Sequence, residues 1–166
     1  MNTEEVVLVD KKGREKGFRE KEKAHILPTR LHKAISVLIF DKDKVLIQKR
    51  SKIKKTWPMY WANTCCSHPR KGESFQKAAE RRLFEEMGIK TNLKRMFKVI
   101  YESKFNDIWG ENEYDWVFVG EYSGKVNPDP KEIAEYKWIS LSKLKEDIKN
   151  NPQIYTPWFK MILERI

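Results

Sequence analysis

Within Trp57-Pro58-Met59-Tyr60-Trp61-Ala62-Asn63-Thr64-Cys65-Cys66-Ser67-His68-Pro69, a thiol, an imidazole and three large aromatic rings fall close together. They lie directly ahead of a helix-patterned stretch ending Glu85-Glu86-Met87-Gly88, which supplies carboxylates at its far end. A potential acid/base, a metal ligand and an apolar lining are thereby delivered to one place, so the segment reads as one wall of an active site. Further along, Glu111-Asn112-Glu113 sets two carboxylates one residue apart. If Glu111 enters an extended strand, alternate residues share a face and both can reach one ion. The two cysteines, Cys65 and Cys66, are adjacent. A bridge between chain neighbours is strained and closes almost no loop, so free thiols in a reducing compartment are expected.

The elements that must carry these groups are partly legible. Val6-Val7-Leu8-Val9 reads as a first strand turned by Asp10-Lys11-Lys12-Gly13, with a charged stretch from Arg19 to His25 after it. Two apolar runs, over 34–40 and 45–50, flank Asp41-Lys42-Asp43-Lys44 and predict a hairpin. The near-continuous first run predicts a strand covered on both faces. From Ser74, Phe75, Ala79, Leu83 and Met87 recur every four residues, and Gly88 suits a C-terminal cap; this predicts a helix. Strands are expected over 93–101, 115–122 and 136–139, and closing helices over 141–150 and 157–166. Asn127-Pro128-Asp129-Pro130 reads as a loop.

No repeat or linker divides the 166 residues, so one α+β domain over 1–166 is expected. Hydrophobic residues make up 40%, which argues against disorder. No apolar run approaches membrane-spanning length, and Met1-Asn2-Thr3-Glu4-Glu5 lacks a secretory pattern. A cytoplasmic location follows as an expectation. The net charge of +10 admits nucleic-acid binding, a lysine-rich solvated surface or a basic pocket for a small polyanion. Scattered lysines (Lys42, Lys44, Lys90, Lys94, Lys143, Lys145) favour the solvated surface, and the site residues support the pocket.

At Gly72-Glu73, with Arg81-Arg82-Leu83-Phe84-Glu85-Glu86-Met87-Gly88-Ile89 following, the chain resembles the Nudix box, a loop–helix–loop whose glutamates hold magnesium against a diphosphate. Ala78 and Arg82 stand where that motif carries glutamates, which weakens a hydrolase reading. The remaining motifs resemble the type 1 isopentenyl-diphosphate isomerases of that superfamily. They are Ala24-His25, Thr29-Arg30-Leu31-His32, Lys54-Lys55-Thr56-Trp57-Pro58, Asn63-Thr64-Cys65-Cys66-Ser67-His68-Pro69, Glu111-Asn112-Glu113 and Pro157-Trp158, in the family's order over nearly the whole chain. The resemblance implies a mixed sheet sandwiched between helices.

It also implies roles. His25, His32 and His68, all the histidines present, would bind a divalent metal with Glu111 and Glu113. Three nitrogens and two oxygens suit manganese or magnesium, with zinc possible. Cys66 and Glu113 would be the acid/base pair, with Tyr101 assisting. Trp158 would stabilise a carbocation, and Trp61 is a further candidate from its place beside the thiols. Lys21, Arg50, Lys54 and Arg82 would grip the diphosphate. Glu86 and the backbone carbonyl of Cys66 would share a magnesium ion with it. Cys65 reads as a small buried residue. The expected partner is a small allylic or homoallylic diphosphate, with no flavin, nucleic acid or membrane, and the expected assembly is a monomer or weak homodimer. Two competing classes stay open: a Nudix pyrophosphohydrolase acting on nucleotide diphosphates, and a basic RNA-binding domain holding structural zinc.

Overall fold

The computed structural model describes residues 3–166; Met1 and Asn2, which begin the stretch read for a secretory pattern, lie outside them. The elements run β1 (Glu5–Val9), β2 (Glu15–Glu20), α1 (Lys21–His25), β3 (His32–Asp41), β4 (Lys44–Arg50), β5 (Trp61–Ala62) and β6 (Cys65–Ser67). Then follow α2 (Phe75–Met87), β7 (Lys94–Lys104), β8 (Gly110–Glu121), β9 (Ile133–Ser140), α3 (Leu141–Asn150) and α4 (Pro157–Leu163). Among the described residues the strands form one mixed sheet with β3 at its centre. One edge of β3 pairs in parallel with β8; the other takes β1, β6 and β4 in turn, all antiparallel. β2 extends the sheet beyond β1, β7 beyond β8, and β5 and β9 beyond β4.

The apolar run of β3 is covered on both faces, as its composition predicts. Ile35, Val37 and Ile39 enter a core with Ala79, Leu83 and Met87 of α2. Leu38 enters a second core with Leu144 of α3 and Phe159 and Ile162 of α4. The period of two along the strand divides them. Each fully buried Leu, Ile or Phe contributes about 1.5–3 kcal/mol, so two apolar layers hold the sheet between α2 and the α3–α4 pair. The α+β arrangement with the sheet between helices is therefore as expected.

α2 begins and ends as its residues dictate. The Ser74 hydroxyl accepts the Lys77 N–H at 3.1 Å, and Gly88 closes the helix at φ 67° with its N–H on the Phe84 carbonyl at 2.8 Å. Elsewhere the structure extends or corrects the expected elements. The charged stretch holds the end of β2 and all of α1; β2 is an edge strand with little buried surface, so it leaves no apolar alternation to read. β8 starts at Gly110, five residues before the expected 115, because Glu111, Glu113 and Asp115 are buried carboxylates that break the apolar pattern. β7 and β9 are longer than expected, and α4 ends at Leu163 instead of 166. No helix among the described residues is long and apolar enough to cross a membrane.

Candidate active site

Strand register decides which side chains meet. Ser36 pairs with Cys66, His32 with Glu113, and Glu113 with Tyr101 on its other side. Registered partners share a face, and His32 and Ser36 are an even number of residues apart on β3. Cys66, Glu113 and Tyr101 therefore look to one side of the sheet. Alternation sends Cys65 the other way, opposite Val37 and fully buried beneath α2. Both thiols are free, one in the core and one in the site. A cavity of about 470 Å³ is lined by Cys66, Glu113, Tyr101 and Trp158.

The Cys66 thiol donates to Asn63 Oδ1 at 3.0 Å and accepts from Trp158 Nε1 at 3.2 Å. Burial pushes it well above the ordinary thiol range, with Arg50 and the indole N–H pulling only part of the way back, so it is a protonated group at neutral pH. The Trp158 ring stacks on Tyr101 at 6.1 Å and meets Trp57 edge-on at 5.5 Å. Trp57 (φ 44°) and Met59 (φ 64°) lie in left-handed backbone, at about 1–3 kcal/mol of strain each for residues other than glycine. Arg50 offsets it by donating to the Thr56 carbonyl at 2.9 Å and the Trp57 carbonyl at 3.2 Å.

His25, His32, His68, Glu111 and Glu113 each offer a donor atom within 4.8 Å of all the others. His25 and His32 present Nδ1 to the carbonyls of Lys21 and Arg30 at 2.6 and 2.7 Å, which turns each Nε2 inward. Thr56 Oγ1 donates to Glu111 Oε1 at 2.6 Å. His32 Nε2, both nitrogens of His68 and Glu111 Oε2 are buried without hydrogen-bond partners. Glu111 Oε2 and His25 Nε2 lie 2.8 Å apart without hydrogen-bond alignment. That spacing is close to the edge of a coordination polyhedron with bonds of about 2.1 Å. Orphaned, convergent nitrogen and carboxylate donors fit a divalent cation. Burial, with neighbouring His25, lowers His32 to about 4, and burial lowers His68 well below the ordinary imidazole range; both are neutral and ready to ligate. Burial drives Glu113 well above the carboxylate range, and the adjacent Glu111 adds to the shift; a dication among these donors would relieve that repulsion.

Lys21, Arg50, Lys54 and Arg82 also line the cavity and give it a cationic border. Arg82 donates from Nε to Ser67 Oγ at 2.8 Å and from Nη2 to Glu86 Oε1 at 2.6 Å. Glu86 is 2% exposed and lies beside Arg82 and the Cys65 thiol. Ser36, at the cavity floor, donates to Asp115 Oδ2 at 2.7 Å, and burial raises Asp115 to about 7.

The description NUDIX domain matches residues 30–159. An isopentenyl-diphosphate Delta-isomerase 1 of Aromatoleum aromaticum is 40% identical over 98% of this chain and 92% of its own length. An isopentenyl-diphosphate Delta-isomerase 2 of Photorhabdus laumondii is 41% identical over 95% of this chain and 89% of its own. The chain belongs to the isopentenyl-diphosphate Delta-isomerase family, within the NUDIX superfamily. The fold agrees: the DR0079 structure from Deinococcus radiodurans superposes with a TM-score of 0.80 over 98% of both chains, at 15% identity.

Against the sites expected for an isomerase of this family, the structure brings together all five metal-ligand candidates, the Cys66–Glu113–Tyr101–Trp158 set and the four rim cations. It does not bring Trp61. β5 pairs that residue with Lys49, and its ring lies beneath Lys49 and Lys137, 5.8 and 4.5 Å away, outside the cavity lining. Trp109 lines the cavity instead. The sequence alone does not mark Thr56, Asn63, Ser36, Asp115 and Glu132 as site residues. Thr56 and Asn63 sit inside the quoted motifs, the available signal, while Glu132 follows a plain Pro-rich loop.

Proposed function

We propose that the chain, working as one domain over 1–166, interconverts isopentenyl and dimethylallyl diphosphate. The reaction adds a proton to the terminal alkene carbon, leaves positive charge at the tertiary carbon, and removes a proton from the carbon on the diphosphate side. One group must donate and another accept across a flat five-carbon unit. The observation that carries this reading is that the Cys66 thiol and the Glu113 carboxyl group face one side of the sheet in one cavity also lined by cations. Tyr101, the register partner of Glu113, stands beside that carboxylate as the assisting hydroxyl.

Positive charge in the substrate is exposed to capture by water, so the pocket must be dry yet electron-rich. The Trp158 face, backed by Tyr101 and Trp57, serves both ends, at roughly 0.5–2 kcal/mol for a desolvated cation–π contact. Arg50, Lys21, Lys54 and Arg82 would hold the diphosphate, fixing the alkene against the thiol. A divalent ion (manganese or magnesium, with zinc also suited) held by His25, His32, His68, Glu111 and Glu113 would supply fixed positive charge that tunes Glu113, with magnesium at Glu86 and the Cys66 carbonyl accompanying the diphosphate. No flavin is required. The proposed setting is the cytoplasm, where thiols stay reduced, with a small-molecule diphosphate as the partner and the protein as a monomer or weak homodimer.

Proton NMR of isopentenyl diphosphate incubated with the protein and magnesium in deuterated buffer tests the reading. Dimethylallyl diphosphate carrying deuterium, with no phosphate released, is expected. Phosphate release without an allylic product would replace the isomerase with a hydrolase.

A further inference from the structure

Three of the four rim cations already have carboxylate partners. Lys21 Nζ lies 3.3 Å from Glu4, Arg82 bonds Glu86 and Glu85, and Lys54 is engaged by Glu132. Arg50 instead donates to backbone carbonyls and Thr56. Glu132 differs from the others in holding two rim cations at once: Oε2 takes Lys54 Nζ, and Oε1 takes Arg82 Nη2 at 3.1 Å.

The backbone fixes this carboxylate in place. Asn127 and Asp129 donate their N–H groups to the carbonyls of Met87 and Glu86 at 2.9 and 2.8 Å, tying the loop to the end of α2. The Glu132 carbonyl accepts the Ser51 N–H at 3.0 Å, beside Arg50. The side chain is 22% exposed and lines the cavity. Although burial opposes ionisation, Lys54 and Arg82 hold the Glu132 carboxyl down to about 2, so it carries full charge at neutral pH.

We infer that Glu132 sets the form in which the rim takes its ligand: it makes the cation cradle select a diphosphate bound to magnesium over the bare polyanion. This rests on the diphosphate reading above. A bare diphosphate must pull Lys54 and Arg82 off Glu132 and then sit beside the displaced carboxylate, anion against anion. A diphosphate that arrives with a dication meets attraction at Glu132 instead, which lines the cavity and takes Arg82 Nη2, while the buried Glu86 holds the same Nη2. A salt bridge that served only to brace the loop would show no preference between the two forms.

Isothermal titration of the full chain, saturated with manganese at the His/Glu site, with inorganic pyrophosphate separates these roles. Wild type is expected to bind pyrophosphate on the order of tenfold or more tighter when magnesium is present. In Glu132→Gln, magnesium-free affinity should rise by about tenfold and the gain from magnesium should shrink toward unity. The inference is overturned if Glu132→Gln keeps the wild-type magnesium gain. It is overturned without any variant if wild type binds pyrophosphate equally well with and without magnesium. Wild type that binds no pyrophosphate under either condition would remove the diphosphate cradle itself, and the inference with it.

Discussion

Stripping the metal from the His/Glu cluster should destabilise the whole domain, and the structure sets the size. Four buried polar atoms there make no hydrogen bond: His32 Nε2, His68 Nδ1 and Nε2, and Glu111 Oε2. Each unsatisfied group costs about 1–3 kcal/mol, so the low end for the cluster is roughly 4 kcal/mol. Linkage gives a matching figure, about 4 kcal/mol when free metal stands a thousandfold above Kd. For a chain of this length each kcal/mol moves Tm by about 2–4 °C, so chelation should lower it by roughly 8–16 °C. The assay is thermal unfolding followed by circular dichroism, on protein verified by elemental analysis as loaded, stripped with EDTA, and reloaded with manganese. Protons compete with metal for the same imidazoles and carboxylates, so affinity falls and the gap narrows as pH is lowered. A melting point unchanged by verified stripping, or an undiminished gain in His32→Ala, would refute the argument that these donors converge on an ion.

Three further outcomes follow from single contacts. Thr56→Val removes the 2.6 Å bond to Glu111 and should weaken metal affinity by about 10–100-fold while leaving the ligand set intact, as read by competition with a chelating dye. Trp158→Phe keeps an aromatic face but deletes the indole donor to the Cys66 thiol; turnover should fall about three- to tenfold with KM nearly constant, and an unchanged turnover would show the bond to be idle. Thr64→Val should lower urea stability by about 2–4 kcal/mol without altering metal content. That hydroxyl accepts the Ile39 N–H at 2.9 Å and donates to the Leu46 carbonyl at 2.6 Å, both buried where β3 and β4 part.

What could be read in advance followed from how strongly local chemistry speaks. Ser74, the four-residue apolar recurrence and Gly88 announce α2 because cap and stripe are local signals. The β3–β4 hairpin is equally plain, being apolar strands around a polar turn. β8 was half hidden, since its first residues bury the carboxyl groups of Glu111 and Glu113, which break the apolar alternation. β2 and α1 were obscured by their exposed, charged surfaces. Matched motifs supplied the candidate ligands and the candidate acid/base pair, but partners reached through tertiary contact were beyond them. Asn63 becomes visible as a thiol acceptor, and Asp115 as the mate of Ser36, only once register is known. Trp61 failed as a pocket residue because closeness along the chain does not decide which edge of a sheet a side chain covers.

The parallel pairing of His32 with Glu113 also has a kinetic meaning. These two candidate ligands stand on strands far apart along the chain, and a parallel pair cannot be closed by a tight turn. Ion capture must await the joining of β3 to β8, a slow, long-range event. A nascent chain that has not yet made β8 holds its histidines without either glutamate, so metal uptake during synthesis would mark completion of the central sheet.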